Sequence, residues 1–202
     1  MSHDNGKGPI CSWRHVRTFD NFLRPFIHDP VKLFGPYVRE GMTVMDMGCG
    51  RGFASLGLAR LVGECGKVIS VDLQPEMLAM VEERAARAGL SGRIFLHQCT
   101  EREVGIEEEL DFVLAFWVVH ELPHASSFFQ EMYGLLKPEG RLFLAEPLIH
   151  HSANSFDRAV SRALEAGFAV SETPRVLLSR AAVLAKRGEP VSDGGGGVDP
   201  VP

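Results

Sequence analysis

The chain has 202 residues, of which 45% are hydrophobic and 23% charged, which is typical of one globular domain with a sizeable core. A formal net charge of -5 argues against a general nucleic-acid-binding protein, which usually carries a basic patch. The sequence contains neither a signal peptide nor an apolar segment of membrane-spanning length, and its four cysteines form no C-x-x-C pair. We therefore expect a cytoplasmic protein with reduced thiols and with no nucleic-acid or membrane partner.

Residues 1–40 are predicted to form a helical cap or lid. Apolar residues recur at helical spacing over Thr18–His28, which favours a helix there. Asp29 and Pro30 are residue types preferred at a helix N-cap and at the first helical position. A second short helix is therefore predicted to start at Pro30 and to run to Val38.

Strands and helices alternate from residue 41 to residue 187. Strands are predicted where apolar and β-branched residues run together, and helices where apolar residues recur every three or four positions. The predicted strands are Thr43–Met47, Lys67–Asp72, Arg93–Gln98, Asp111–Trp117 and Arg141–Ala145. The predicted helices are Phe53–Val62, Pro75–Ala88, Ala125–Leu136 and Ser155–Ala166, and a turn is predicted at Lys137–Gly140. This alternation is typical of a doubly wound α/β sheet.

Two further β-rich runs, Phe168–Thr173 and Ser179–Leu184, are separated by five residues. So short a connection favours an antiparallel hairpin over another parallel unit. The predicted fold class is therefore α/β, with a doubly wound, seven-stranded, mostly parallel sheet whose last strand is antiparallel. Residues 188–202 end in GGGGVDPVP without periodicity and are predicted to form a flexible tail.

The segment VMDMGCGRGF, residues 44–53, joins the first strand to the following helix. Gly48, Gly50 and Gly52 lack a Cβ, so the backbone can turn sharply and approach a ligand at the helix N-terminus. Asp46 lies in the strand end, where a carboxylate suits a cationic or amine-bearing ligand better than a pyrophosphate. A nicotinamide-binding turn usually reads G-x-G-x-x-G, so this spacing disfavours a dinucleotide.

Asp72 ends the second strand, where a carboxylate can accept hydrogen bonds from both hydroxyls of a ribose. Leu73 follows it and can pack on an adenine, which needs an apolar wall. Ligands of doubly wound sheets bind beyond the carboxyl ends of the strands. We therefore expect Cys99, Thr100 and the segment Phe116–Glu121, which follow the third and fourth strands, to share the site.

Four segments together resemble the small-molecule type of class I S-adenosylmethionine-dependent methyltransferases: VMDMGCGRG, VISVDLQPEML, DFVLAFWVVHEL and LLKPEGRLFLAEP. The resemblance implies a Rossmann-like methyltransferase domain over residues 41–187 and S-adenosylmethionine as the cofactor. It implies that Asp46 lies near the amino group of the cofactor and that Asp72 holds the ribose. Many relatives have an acid after the third strand for the adenine, and Thr100 or a backbone group replaces it here. The implied cofactor-binding residues are Asp46, Gly48, Cys49, Gly50, Gly52, Asp72, Leu73, Thr100 and Phe116.

Methyl transfer is an in-line attack on a sulfonium methyl, for which the protein supplies mainly orientation and exclusion of water. A general base is needed only where the nucleophile arrives protonated. His120 and Glu121, just past the fourth strand, are the predicted catalytic residues, and His124 and Glu146 are second choices. No metal site is predicted, because no third ligand accompanies His120 and His124 at a known spacing.

A small-molecule acceptor is predicted, since the charge balance is acidic and a separate recognition domain is missing. Its chemistry is open: carbon, nitrogen, oxygen, sulfur and a metalloid are all alternatives. Two other function classes remain. One is a module that binds S-adenosylmethionine or S-adenosylhomocysteine without turnover, and the other is an NAD(P)-dependent oxidoreductase. Stabilisation by S-adenosylhomocysteine but not by NAD in a thermal-shift assay would exclude the oxidoreductase.

Overall fold

The computed structural model describes residues 28–148 and 153–187. The predicted tail over 188–202 and, apart from His28, the predicted helix over 18–28 lie outside these residues. Most of the predicted cap, 1–40, therefore lies outside them as well, and residues 28–40 are its described part.

The described chain alternates between helix and strand. Its helices are α1 (Pro30–Phe34), α2 (Phe53–Leu61), α3 (Pro75–Arg87), α4 (Ala125–Leu135) and α5 (Ala153–Glu165). Its strands are β1 (Thr43–Met47), β2 (Lys67–Asp72), β3 (Ile94–Gln98), β4 (Leu110–Phe116), β5 (Leu136–Pro147), β6 (Phe168–Glu172) and β7 (Ser179–Lys186). One turn of 3-10 helix, Val119–Glu121, follows β4. None of the helices in this part of the chain combines the length and hydrophobicity needed to cross a membrane.

The strands of the described chain form one sheet in the order β3-β2-β1-β4-β5-β7-β6. Strands β1 to β5 are parallel, whereas β7 runs antiparallel to its neighbours β5 and β6. The predicted fold class is therefore confirmed, including the antiparallel last strand. The strand order reverses between β1 and β4, and a ligand of such a sheet binds outside the carboxyl ends at this point.

Helices cover both faces of this sheet. Side chains alternate along β1: Val44 packs in the core that contains residues of α1, α2 and α3, whereas Met45 and Met47 pack in the core of α4 and α5. The central residues Phe112–Ala115 of β4 are wholly buried, as expected of an apolar strand covered on both faces. The sheet is thus packed between two cores, which fix the positions of its strands and of the loops at the strand ends.

The N-cap of α1 is the predicted one, but the helix is shorter than predicted. The Asp29 carboxylate accepts hydrogen bonds from the backbone N–H groups of Val31 (3.0 Å) and Lys32 (3.3 Å). The helix ends at Phe34 instead of Val38, because Gly35 and Pro36 follow it and both disfavour a helix interior. Phe34 is 2% exposed and anchors this short helix to the sheet.

The predicted turn Lys137–Gly140 is wrong as an element boundary, because β5 begins at Leu136 and continues through it. The pairing with β4 shifts there: Leu110 pairs with Leu136, and Phe112 pairs with Arg141. The turn residues therefore form an irregularity within the strand rather than its start. A strand accommodates extra residues in this way by bending locally without ending.

Candidate active site

A cavity of about 470 Å³ opens at the carboxyl ends of β1, β2 and β4. It is lined by all but one of the predicted cofactor-binding residues and by both first-choice catalytic residues. The predicted residues that line it are Asp46, Gly48, Cys49, Gly50, Asp72, Leu73, Thr100, Phe116, His120 and Glu121. Gly52 is not among the lining residues.

The glycine turn between β1 and α2 has a left-handed backbone at each of its three glycines. A Cβ on Gly48 would lie 2.4 Å from Cγ2 of Val118, so this glycine allows the turn to pack against the segment after β4. A Cβ on Gly50 would meet nothing within 4 Å, so space lies open beside this residue. Gly52 instead faces α3, where an added Cβ would lie 3.0 Å from Cγ2 of Val81.

Replacing Gly48 with alanine should destabilise the fold more than the same change at Gly50. Both positions have a positive φ, which costs an L-residue about 1 kcal/mol. Only Gly48→Ala adds a steric conflict, with the Val118 side chain, and the loss of unfolding free energy should reach about 3 kcal/mol. Urea denaturation without ligand measures both losses. Equal losses of unfolding free energy in the two variants would show that the close approach of Gly48 to Val118 does not contribute to stability.

Asp46 reaches the cavity from the end of β1 and is 2% exposed. The hydroxyl of Ser55, in the first turn of α2, donates a hydrogen bond of 2.6 Å to its Oδ2. Ser55 is itself fully buried, so this bond positions the carboxylate firmly. Asp46 is a predicted site residue, whereas its partner Ser55 is not predicted from the sequence.

Asp72 connects the glycine turn to the end of β2. Its Oδ2 accepts a hydrogen bond from the Gly50 backbone N–H, and its Oδ1 accepts one from the Gln74 N–H, both at 2.9 Å. Burial raises the pKa of Asp72, and these two backbone hydrogen bonds oppose part of that rise. Each carboxylate oxygen keeps a second lone pair that can accept a hydrogen bond from a ligand.

Thr100 lines the cavity, but its side chain is engaged in its own turn. Its hydroxyl oxygen accepts hydrogen bonds from the backbone N–H groups of Arg102 and Glu103, both at 3.2 Å. This use of the hydroxyl leaves less capacity for an adenine amino group. The neighbouring Glu101 also lines the cavity and is the acid in this loop that can reach a ligand.

His120 lies between two carboxylates. Its Nδ1 forms a hydrogen bond with Oε2 of Glu146, which lies near the end of β5 and is 2% exposed. Its Nε2 lies 3.6 Å from Oε1 of Glu121. Burial alone lowers the pKa of a histidine, but the hydrogen bonds to Glu121 and Glu146 outweigh it and raise the pKa of His120 to about 9. His120 is therefore protonated at neutral pH, and Glu146 fixes the orientation of its ring.

His124 does not share this site, because it lines a separate small cavity with Phe128 and Glu131. Glu146, the other second-choice base, does not line the cavity itself but forms a hydrogen bond with His120, which does. Within residues 28–148 and 153–187, no group of three His, Cys, Asp or Glu side chains is arranged to hold a metal ion.

The cavity lining also contains residues that the sequence did not indicate or indicated only weakly, among them His28, Trp117 and Arg51. His28 comes from the described part of the cap, and its Nε2 lies 2.7 Å from the carbonyl oxygen of Leu177. The two residues are far apart in the sequence, so no local pattern indicates this contact. Arg51 lies in the glycine turn itself, where its position between Gly50 and Gly52 was the available signal.

Comparisons with known proteins agree with this geometry. A family model described as a methyltransferase domain matches residues 38–177. Ubiquinone/menaquinone biosynthesis C-methyltransferase UbiE of Escherichia coli is 30% identical over 124 residues, which are 59% of this chain and 49% of UbiE. The chain thus spans about half the length of the curated relatives it matches.

Solved structures have the same fold. A SAM-dependent methyltransferase from Aquifex aeolicus has a TM-score of 0.75 and 25% identity, with 86% of this chain and 97% of that chain covered. The [4+2]-cyclase SpnF has a TM-score of 0.62 and 19% identity, with 72% of this chain and 59% of that chain covered. The second likeness concerns the fold alone, and a cyclase among the neighbours means that the chemistry must be argued from the site.

The chain belongs to the methyltransferase-domain family, which confirms the predicted class, a class I S-adenosylmethionine-dependent methyltransferase. The enzyme class and the cofactor, S-adenosylmethionine, follow from that membership. The cavity fits this cofactor: Asp72 offers buried carboxylate oxygens for ribose hydroxyls, and open space lies beside Gly50. Leu73 and Met77 provide an apolar part of the lining.

Proposed function

We propose that this protein methylates a small, uncharged acceptor that loses a proton during the reaction. One observation supports the proposal most directly: His120 lines the same cavity as the glycine turn and Asp72, and a hydrogen bond to the buried Glu146 holds its ring. S-adenosylmethionine supplies a methyl group already activated on a sulfonium. The residues of the chain then have two tasks, which are to hold the cofactor and to manage the proton of the acceptor.

The cofactor is proposed to be held from the β1 and β2 side of the cavity. Asp72 accepts hydrogen bonds from the ribose, and its bonds to the Gly50 and Gln74 N–H groups keep it in place for that purpose. Asp46, positioned by Ser55, provides negative charge for the amino group. The backbone of Gly48 and Gly50 allows a ligand to approach closely.

The proton of the acceptor is proposed to go to His120. Hydrogen bonding to Glu146 directs Nδ1 towards the protein, so Nε2 is the nitrogen nearer Glu121. The bond between the methyl carbon and the acceptor forms as the bond between that carbon and sulfur breaks, and the proton displaced from the acceptor moves to neutral His120 Nε2. Glu121 is proposed to assist by stabilising the resulting imidazolium.

The acceptor atom is proposed to be carbon. UbiE is named a C-methyltransferase, which favours carbon as the acceptor atom here. The net charge of -5 continues to disfavour a nucleic acid. The proposed methyltransferase domain spans residues 41–187, and the cap contributes His28 to its cavity. A cytoplasmic location stays a prediction.

Mass spectrometry with methyl-labelled cofactor tests the proposal. The purified protein is incubated with labelled S-adenosylmethionine and a fractionated pool of small metabolites. A product that carries the labelled methyl group is expected, together with an equal amount of S-adenosylhomocysteine. Calorimetric binding of S-adenosylhomocysteine without labelled product from any fraction would favour the non-catalytic module, and stabilisation by NAD alone would favour the oxidoreductase.

A further inference from the structure

We infer that His28, Phe116 and Trp117 form a subsite for a planar, uncharged, hydroxylated aromatic ring, with Trp117 as the specificity-determining residue. We call these three residues the aromatic wall. The inference rests on the proposed function and deepens it, because it names the class of acceptor. Its basis is the packing of the three rings, the anchoring of Trp117 and the charge of the cavity.

The three rings of the aromatic wall contact one another and all line the cavity. The centroid of the His28 ring lies 5.3 Å from that of Phe116 and 5.5 Å from that of Trp117, both in edge-to-face geometry. The Phe116 and Trp117 centroids are 5.4 Å apart. A ligand ring that enters the cavity could pair with these rings in its turn, and an aromatic pair gains about 1 kcal/mol beyond the area that it buries.

Trp117 is held in a backbone conformation that bulky residues rarely adopt, with φ at 63°. Two hydrogen bonds keep it there: its backbone N–H donates to the Ala145 carbonyl (2.8 Å), and its Nε1–H donates to Oγ of Ser179 (2.9 Å). A strained backbone conformation of this kind persists only where several surrounding contacts hold it, and such residues cluster at ligand sites. The indole is therefore fixed in place before any ligand binds.

Trp117 of the aromatic wall lies on the other side of the cavity from Asp72 and Leu73, whereas Phe116 is also one of the implied cofactor-binding residues. Asp72 and Leu73 lie at the carboxyl end of β2, whereas Phe116 and Trp117 lie at the carboxyl end of β4, and β1 lies between these two strands. His28 closes this side through the Leu177 carbonyl, which also accepts a hydrogen bond from Ser179 Oγ at 3.4 Å. A ring at the wall would thus be separate from the ribose and adenine positions.

The charges of the cavity select against an anionic ring. Its described lining contains four carboxylates, from Asp46, Asp72, Glu101 and Glu121, but one guanidinium, from Arg51, and the imidazolium of His120. A carboxylate or phosphate on the acceptor would meet this excess of negative charge. A neutral hydroxyl avoids it, and the neutral form of His120, three residues after Trp117, can take the hydroxyl proton.

Calorimetric titration of the complex with S-adenosylhomocysteine tests the wall with three matched probes. The probes are 2-naphthol, its saturated analogue decahydro-2-naphthol and the anionic 6-hydroxy-2-naphthoate. We expect 2-naphthol to bind on the order of tenfold more tightly than either of the others. Equal affinities for 2-naphthol and the saturated analogue would overturn the aromatic wall, and tighter binding of the anion would overturn the selection by charge.

Substitutions at Trp117 test whether this residue causes the preference for 2-naphthol. Trp117→Leu is expected to weaken 2-naphthol binding on the order of tenfold without changing the affinity for S-adenosylhomocysteine, and Trp117→Phe to restore most of it. Leucine already occupies φ 59° at Leu178 of this chain, so the backbone conformation does not forbid the change. Phe95→Leu removes an exposed aromatic ring on β3, outside the cavity, and serves as the matched control.

Phe116→Leu tests the wall independently if Trp117→Leu fails to fold. Unchanged 2-naphthol affinity in whichever of these two variants folds would overturn the inference. Labelled product from a non-aromatic acceptor, with no selective 2-naphthol binding, would overturn the wall and retain methyl transfer. Selective 2-naphthol binding without labelled product from any metabolite would retain the wall and overturn the proposed function.

Discussion

Replacing His120 with glutamine is expected to lower kcat/KM on the order of 100-fold at pH 8, while S-adenosylhomocysteine binds as tightly as before. Glutamine can still donate a hydrogen bond to Glu146, but it cannot take a proton from the acceptor. His124→Gln is the matched control, because His124 is exposed and does not line the cavity. Steady-state kinetics with the acceptor found by mass spectrometry measures both variants. Wild-type turnover in His120→Gln would remove His120 from the reaction.

The pH profile separates a base from a merely structural histidine. The pKa of His120 is raised to about 9, so the neutral form that can accept a proton is about 1% of the enzyme at pH 7. The kcat/KM of the wild type should therefore rise about tenfold per pH unit above pH 7 and level off near pH 9.

Glu146→Gln should shift the same plateau towards neutral pH. The change removes a carboxylate that stabilises the His120 imidazolium but keeps a hydrogen-bond acceptor at Nδ1. A purely structural role for Glu146 would lower stability without moving the profile. A wild-type profile that stays flat from pH 7 to pH 9 would contradict the role of His120 as the base.

Most of the sheet could be predicted because its signals are local. The glycine turn, the acid at the end of β2 and the apolar run of β4 each lie within a few residues of the feature they create. Since parallel strands end at a common edge, Asp46, Asp72 and His120 could be assigned to one site before their distances were known. The same reasoning predicted Glu146 near this site, because Glu146 lies near the carboxyl end of β5, the neighbour of β4.

The parts that could not be predicted depend on packing between distant segments. Gly52 looks like the other two glycines of the turn in the sequence, and only the structure shows that Val81 on α3 lies close to it. His28 enters the cavity through a contact with Leu177, and nothing near either residue signals it. The irregularity in β5 was also missed, because Pro138 and Gly140 are turn residues and only the pairing with β4 shows that the strand continues.

The second large effect is expected at Asp72. Asp72→Ala should weaken the calorimetric affinity for S-adenosylhomocysteine about 30-fold, or about 2 kcal/mol. The change removes a buried charged acceptor from the proposed ribose site, and it leaves the Gly50 and Gln74 N–H groups without their partner. The glycine turn then loses its link to β2, so the cofactor site is less well ordered before binding.

A stability control is needed, because the same two lost hydrogen bonds also lower the free energy of unfolding. Asp111→Asn provides it, since Asp111 accepts hydrogen bonds from the Thr43 N–H (2.8 Å) and from Lys137 (2.7 Å). Asp111 lies at the amino end of β4, opposite the edge that carries the cavity. Asp111→Asn should therefore lower stability and leave cofactor affinity unchanged. Equal losses of affinity in the two variants would attribute the effect to general destabilisation, and unchanged affinity in Asp72→Ala would remove Asp72 from the cofactor site.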